Sequence, residues 1–411
     1  MKEYELYTFP NGIRFIHKQV KYTKIAHCCI MADIGSRDEQ PHQVGIAHFW
    51  EHLAFKGTQK RKSYHILNAI DGLGGELNAF TTKEKICFHV SVLDSHFDKA
   101  ADILSDITFH STFPQKEIEK ERNVILEEMH SYENDLSDSI ADDFDNLIFQ
   151  SHPLGNNILG TVESVSRFQK SDFDEFIEQN LDTSRLVFAS ISSLSFQKAF
   201  RIARKYLEPI PLKQSFRKRV AFSGYKPVHQ TKNKGQNQVH CAIGTTCYSL
   251  FDSKRIPFFL LANLLGGPAS NSRLNMAIRE KHGFVYSIEA STSFFSDVGE
   301  FAIFYATEPS KHERCYELVM RELQKLRQSK LSTLQLHKAK QQLMGQMAMS
   351  EESNQSLMLL FAKSILDFGY VPTLNDIFRQ IEQITPEILQ EVANEIFSES
   401  RLSTLVYFSA K

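Results

Sequence analysis

Several things are scarce in this chain of 411 residues, and each scarcity closes off a class of function. Charge of one sign is not in excess: 47 Lys and Arg stand against 49 Asp and Glu, a formal net charge of −2. A nucleic acid or an anionic membrane attracted by bulk electrostatics is therefore not an expected partner. No apolar run approaches the roughly 18 residues of a membrane span. The opening Met1-Lys-Glu-Tyr-Glu-Leu-Tyr lacks a secretory apolar core and, with its glutamates, fits a mitochondrial transit peptide poorly. Cysteines number six, at 28, 29, 87, 241, 247 and 315, with no Cys-x-x-Cys pair. That spacing disfavours a thiolate zinc site or redox motif and suits buried free thiols in a reducing, cytoplasmic setting.

What is present centres on Gly45-Ile-Ala-His48-Phe-Trp-Glu51-His52-Leu-Ala-Phe-Lys-Gly57. The residues between the glycines contain no proline and suffice for about three helical turns. On a helix His48 and His52, at i and i+4, share a face and can reach one metal ion. Glu51 leans toward the same point without having to be a ligand. His-x-x-Glu-His is the zinc-hydrolase pattern His-Glu-x-x-His in reverse: two neutral nitrogen ligands and a carboxylate able to take a proton from water. With 16 histidines in the chain some pairs fall four apart by chance, and Ile46, Phe49, Trp50, Leu53 and Phe55 would also suit a plain core helix. Two histidines and a glutamate are costly to bury in such a helix without a partner, which favours the metal.

The length fits two domains of about 200 residues. The chain reads as a hairpin around Pro10-Asn-Gly12, a strand from Ile25, the motif helix, a helix over 63–72, strands at 76–82 and 85–93, and helices over 94–111 and 115–135. His27 reads as a packed or edge histidine rather than a ligand. On the long helix Glu121, Ile125, Glu128 and Tyr132 form one stripe flanked by Ile118 and Met129. Glu128 on that apolar side calls for compensation, and a metal is one form of it. Spacing alone leaves several acids open as the third protein ligand. Helices and a strand over 161–206 lead to a linker at 209–222, whose Arg217, Lys218 and Arg219 read as a solvated connector. Beyond it the order repeats weakly without histidines in the corresponding helix, so the second half should hold no metal. The expectation is an α+β chain of two similar domains, 1–208 and 223–411, each a mostly antiparallel sheet packed against helices.

With these segments in hand, the chain resembles the pitrilysin/insulinase family of zinc peptidases. More narrowly it looks like the half-length branch containing mitochondrial processing peptidase β subunits and their bacterial relatives. The resemblance runs through Pro10-Asn-Gly, Gly35-Ser-Arg-Asp-Glu, Ala47 to Thr58, Gly75-Glu-Leu-Asn-Ala-Phe-Thr81 and Glu121 to Glu128, over nearly the whole chain. It implies a third ligand 76 positions past His52, which is Glu128, and a supporting glutamate seven earlier, which is Glu121. It implies one Zn²⁺ per chain on His48, His52 and Glu128, with Glu51 as general base. Asn78, Ala79, Phe80 and Thr81 would form an edge strand that pairs with an extended peptide. Arg279 and Tyr286, seven apart as in the family, would contact the substrate backbone and the developing oxyanion. Gly266-Gly-Pro268 replaces a more glycine-rich run often found there. Full-length relatives enclose substrate between two such halves and 411 residues supply one, so the resemblance implies a homodimer, or a heterodimer with a homologous subunit, acting on unfolded or short peptides. The alternatives are a catalytic subunit active only with such a partner, and a non-catalytic scaffold.

Overall fold

A computed structural model describes residues 4–235 and 237–408. Along the chain come β1 (Glu5–Thr8), β2 (Arg14–Gln19), β3 (Ile25–Ala32), α1 (Ile46–Leu53), α2 (Ser63–Asp71), β4 (Glu76–Thr81) and β5 (Ile86–Leu93). Helices α3 (Phe97–Phe109), α4 (Gln115–Asn134), α5 (Leu136–Ile148), α6 (Val162–Arg167) and α7 (Lys170–Asn180) precede β6 (Leu186–Ser192) and α8 (Phe196–Leu207). Then follow β7 (His229–Asn233), β8 (Val239–Cys247), α9 (Arg255–Gly266), β9 (Val285–Phe294) and β10 (Gly299–Thr307). The chain finishes with α10 (His312–Gln328), α11 (Thr333–Ser350), α12 (Asn354–Phe368), α13 (Leu374–Glu382), α14 (Pro386–Ile396) and β11 (Ser403–Phe408).

Two compact units result, and each borrows a segment from outside its own half of the sequence. The first comprises the chain up to His130, Asn156–Arg219 and Ser350–Pro372; the second comprises Ser131–Gly155, Val220–Met349 and the chain from Thr373 onward.

In the first unit six strands lie in the order β1-β2-β6-β3-β5-β4. Only β2 and β6 run parallel; the other neighbours are antiparallel. Side chains alternate across the sheet. Phe15, Cys28, Ile30, Phe88, Val90 and Phe188 therefore share a face and pack against α1, α2, α3, α7 and α8. Ile16, Cys29, Met31, Cys87, Val187 and Ala189 occupy the opposite face. That face is covered by Leu357, Met358, Phe361 and Ile365 of α12. Each such side chain contributes about 1.5–3 kcal/mol when fully buried, so this helix is integral to the unit.

The second unit has five strands in the order β7-β11-β8-β10-β9, with β7 and β11 parallel and the rest antiparallel. Helices α9, α10, α11 and α14 cover one face. Ile140, Phe144 and Leu147 of α5 cover the other, against Ala242, Ala302 and Leu405. Both units are thus α+β, and each sheet lies between a helical layer and a single helix.

Several details depart from the sequence reading. Helix α1 ends at Leu53 rather than running to the second glycine, and Gly57 instead bridges to Lys62. Ahead of β9 the chain winds into a π-helical turn, Asn275–Glu280. Strand β7 was not anticipated because His-Gln-Thr-Lys-Asn offers no apolar alternation; its pairing with β11 supplies the order. Of the three basic linker residues only Lys218 is exposed as expected; Arg217 and Arg219 are drawn in. Arg219 pairs with Asp38 at 2.8 Å and Asp33 at 2.9 Å, and Arg217 with Asp38 at 3.0 Å. Acidic groups at the end of β3 draw both guanidinium groups inward.

Candidate metal centre

Helix α1 is held by its buried stripe and at its N-terminus. Ile46, Phe49, Trp50 and Leu53 are fully buried, which leaves His48, Glu51 and His52 on the remaining side. At the N-terminus the buried Glu39 carboxylate accepts the N–H groups of Gly45 and Ala47, both at 2.9 Å. These are donors that a helix start leaves unpaired. Gly45 has φ +95°, and a Cβ there would lie 2.6 Å from Cα of Gly160. Both the left-handed backbone and the close approach require glycine.

Helix α4 brings the carboxylates. Ile118, Glu121, Ile125 and Met129 form its buried side, and Glu128 borders that stripe. The rings of His48 and His52 lie with centroids 4.6 Å apart. Nε2 of His48 is 3.9 Å from Glu128 Oε1, and Nε2 of His52 is 3.5 Å from Glu128 Oε2. Among the described residues these three form the one group of at least three His, Cys, Asp or Glu side chains able to hold a metal, with ligand atoms all within 4.8 Å of one another. Ligands about 2.05 Å from a tetrahedral ion lie about 3.3 Å apart, so the donor set needs only small adjustments to fit Zn²⁺. His27, by contrast, bonds Ser91 and belongs to no such group.

Around this set the charges are graded. Nδ1 of His52 donates to Glu121 at 3.3 Å, and the Lys56 ammonium holds the other oxygen of Glu121 at 2.8 Å. Burial, then the neighbouring His52, push His48 below its ordinary value. Burial also opposes protonation of His52, but hydrogen bonds to Glu121 and Glu128 outweigh it and hold the ring up to about 9. Two carboxylates facing one imidazole create a demand for positive charge, which a cation between the side chains meets as well as a proton does.

Glu51 stands beside the group with its carboxyl raised, chiefly by burial. The Thr81 hydroxyl donates to Glu51 Oε2 at 2.6 Å. Among the described residues strand β4, which carries Thr81, lies at the sheet edge and pairs only with β5. Asn78, Ala79, Phe80 and Thr81 therefore sit where one backbone edge has no strand neighbour. Arg279 and Tyr286 belong to the second unit; Tyr286 is 90% exposed, and Arg279 lies 3.8 Å from Glu280. The sequence reading missed Glu39, Lys56 and the hydroxyl of Thr81. Side-chain alternation along β4, which puts Leu77, Ala79 and Thr81 on the helix-facing side, was the available signal for the last.

With this geometry established, comparison places it among known proteins. Residues 14–162 match the family described as Insulinase (Peptidase family M16), and residues 167–343 match that described as Peptidase M16 inactive domain. An uncharacterised zinc protease of Streptomyces coelicolor is 31% identical over 396 residues, covering 95% of this chain and 86% of that protein. One of Bacillus subtilis is 30% identical over 404 residues, covering 97% of each. In fold, a protease from Helicobacter pylori superposes with a TM-score of 0.90 at 21% identity, covering 98% of this chain and 99% of that one. A peptidase M16 inactive domain from Pseudomonas fluorescens gives 0.92 at 16%, covering 99% and 98%. Two sheets built to one plan, a His48, His52 and Glu128 group able to hold a metal, and relatives that match over nearly the whole chain lead to one assignment: this chain belongs to the insulinase family, peptidase family M16.

Proposed function

We propose that the chain is a zinc-dependent endopeptidase acting on unfolded or short peptides. The observation that carries this reading is the convergence of His48, His52 and Glu128 with Glu51 alongside. His48, His52 and Glu128 would hold Zn²⁺, and relatives named zinc proteases support that choice of metal. A zinc ion held there supplies Lewis acidity and lowers the pKa of water in its open position.

The chain's own residues supply the rest. Glu121 holds the ring of His52 through Nδ1 and leaves Nε2 toward Glu128, where it would serve as a ligand. Because Oε2 of Glu51 is engaged by Thr81, Oε1 takes the proton of the attacking water and delivers it to the leaving amine nitrogen. The free edge of β4, through the backbone of Asn78, Ala79, Phe80 and Thr81, pairs with an extended peptide. Such binding reads chain shape more than side chains. Arg279 and Tyr286, exposed in the second unit, would contact the substrate backbone and the developing oxyanion, in a dimer with a second copy or a homologous subunit. Six free thiols suit a cytoplasmic setting, and among the described residues no helix is long and apolar enough to cross a membrane.

The deciding experiment is metal analysis and cleavage of a quenched peptide by the purified chain and by Glu51→Gln. One zinc in each, with hydrolysis only by the parent, is the expected result. Normal cleavage by Glu51→Gln removes the assigned base, and undiminished zinc in His48→Ala removes the ligand set.

A further inference from the structure

We propose that Thr81 is a positioning residue for Glu51, so that the strand on which substrate docks also aims the base. This rests on the peptidase reading above and deepens it by making the Thr81 hydroxyl responsible for the aim of the base and hence for the rate.

Four observations combine. The hydroxyl of Thr81 donates to Oε2 of Glu51 at 2.6 Å, the short end of the usual range and typical of a bond to a carboxylate. Thr81 is β-branched, so its χ1 has few choices and the hydroxyl is aimed rather than free to swing. Alternation puts its side chain under α1 while its backbone stays on the edge strand.

The end of that strand is also anchored. Thr82 and Lys85 bond each other through backbone and hydroxyl, and Lys85 pairs at 2.5 Å with Asp367 of α12. Arg37 holds Glu84 at 2.7 Å, and the Lys83 ammonium donates to the carbonyl of Asn156 at 2.7 Å. The turn that sets the position of Thr81 is thus fixed by three separate side-chain contacts. Among the described residues Glu51 has one side-chain hydrogen bond of its own, and it comes from this anchored strand. A peptide that pairs with β4 takes its register from the same backbone that orients Oε2. The distance between scissile carbonyl and base is then set within one element rather than across two.

The test uses the full-length, zinc-loaded chain and its Thr81→Val and Thr81→Ser variants. Valine keeps the shape and removes the donor; serine keeps the donor. Thr81→Val should lose about ten- to hundredfold in kcat, the range expected for one hydrogen bond to a charged group. KM and zinc content should stay within twofold of the parent, because the edge backbone and the ligands are untouched. Thr81→Ser should recover most of the rate. A crystal structure of Thr81→Val should show the Glu51 carboxylate displaced. Parent-like kcat in Thr81→Val, or a loss in Thr81→Ser as deep as in Thr81→Val, overturns the proposal. Should the parent itself cleave no peptide, that result counts against the peptidase reading alone. The crystal structure then decides this proposal, and an unmoved Glu51 carboxylate rejects it.

Discussion

The carboxylate of Glu121 lies 3.3 Å from Nδ1 of His52, while Nε2 of the same ring faces Glu128 at 3.5 Å. One imidazole is therefore held between two glutamates seven residues apart on α4. Removing the outer one should loosen the ring without deleting a ligand. Glu121→Gln is expected to weaken zinc binding about 10- to 100-fold, measured by competition with a chromophoric chelator. Lys56→Met, which frees the far oxygen of Glu121, should weaken it less but in the same direction. Unchanged affinity in Glu121→Gln would mean that the ring is oriented by packing alone.

Gly45 starts α1 at φ +95° with its Cα against Gly160. Gly45→Ala meets both a backbone that L residues avoid and a collision with Gly160 Cα. A loss of about 1–3 kcal/mol in unfolding free energy is expected. Denaturant titration checks this, and a change below about 0.5 kcal/mol would show that the loop shifts freely.

His17 is a buried histidine that belongs to none of the proposed chemistry. Its Nδ1 meets Ser190 Oγ at 2.8 Å and its Nε2 the carbonyl of Leu194 at 2.9 Å. Burial lowers its pKa below the ordinary 6.5, so the folded chain keeps it neutral where the unfolded chain takes up a proton. This stability is fully present above pH 6.5 and declines as pH falls toward the folded value, by at most about 1.4 kcal/mol per pH unit. His17→Gln should flatten the dependence of unfolding free energy on pH between 6.5 and 5. Equal slopes in parent and variant would assign the acid sensitivity to other groups.

Arg219 is the more widely paired anchor of the linker, meeting Asp33, Asp38 and Glu84. Arg219→Met leaves those carboxylates undercompensated and should cost about 3 kcal/mol, with faster proteolytic nicking in the linker. Lysine at the same place should recover part of the loss. Parent-like resistance to proteolysis in Arg219→Met would show that Arg217 suffices.

The centre of the site was legible in the sequence because it is local. His48, Glu51 and His52 occupy one helix, and helical periodicity alone puts them together. Glu128 was not legible that way: α4 carries several acids, and the resemblance, not the spacing, selected it. Glu39 escaped notice because only the turn before α1 brings it to that helix's N-terminus, and Lys56 because its partner Glu121 lies on the distant α4. The linker was misread for a related reason. A run of Arg-Lys-Arg looks solvated unless one knows that Asp33 and Asp38 wait at the end of β3. Strands β3 and β6 read easily from their apolar runs, whereas β7 has none and exists through its partner. Nothing in the local pattern of α12 says that it covers the first sheet, since an apolar helical stripe does not name the surface it meets.

That last feature bears on how the chain comes to be made. Ile16, Met31, Val187 and Ala189 emerge from the ribosome long before Phe361 and Ile365 do. Until then the greasy back of the first sheet has no cover of its own, and a fragment ending at the linker never acquires one. A nascent or truncated chain should accordingly be sticky and in need of a chaperone, with the zinc-binding half maturing only when translation is nearly over.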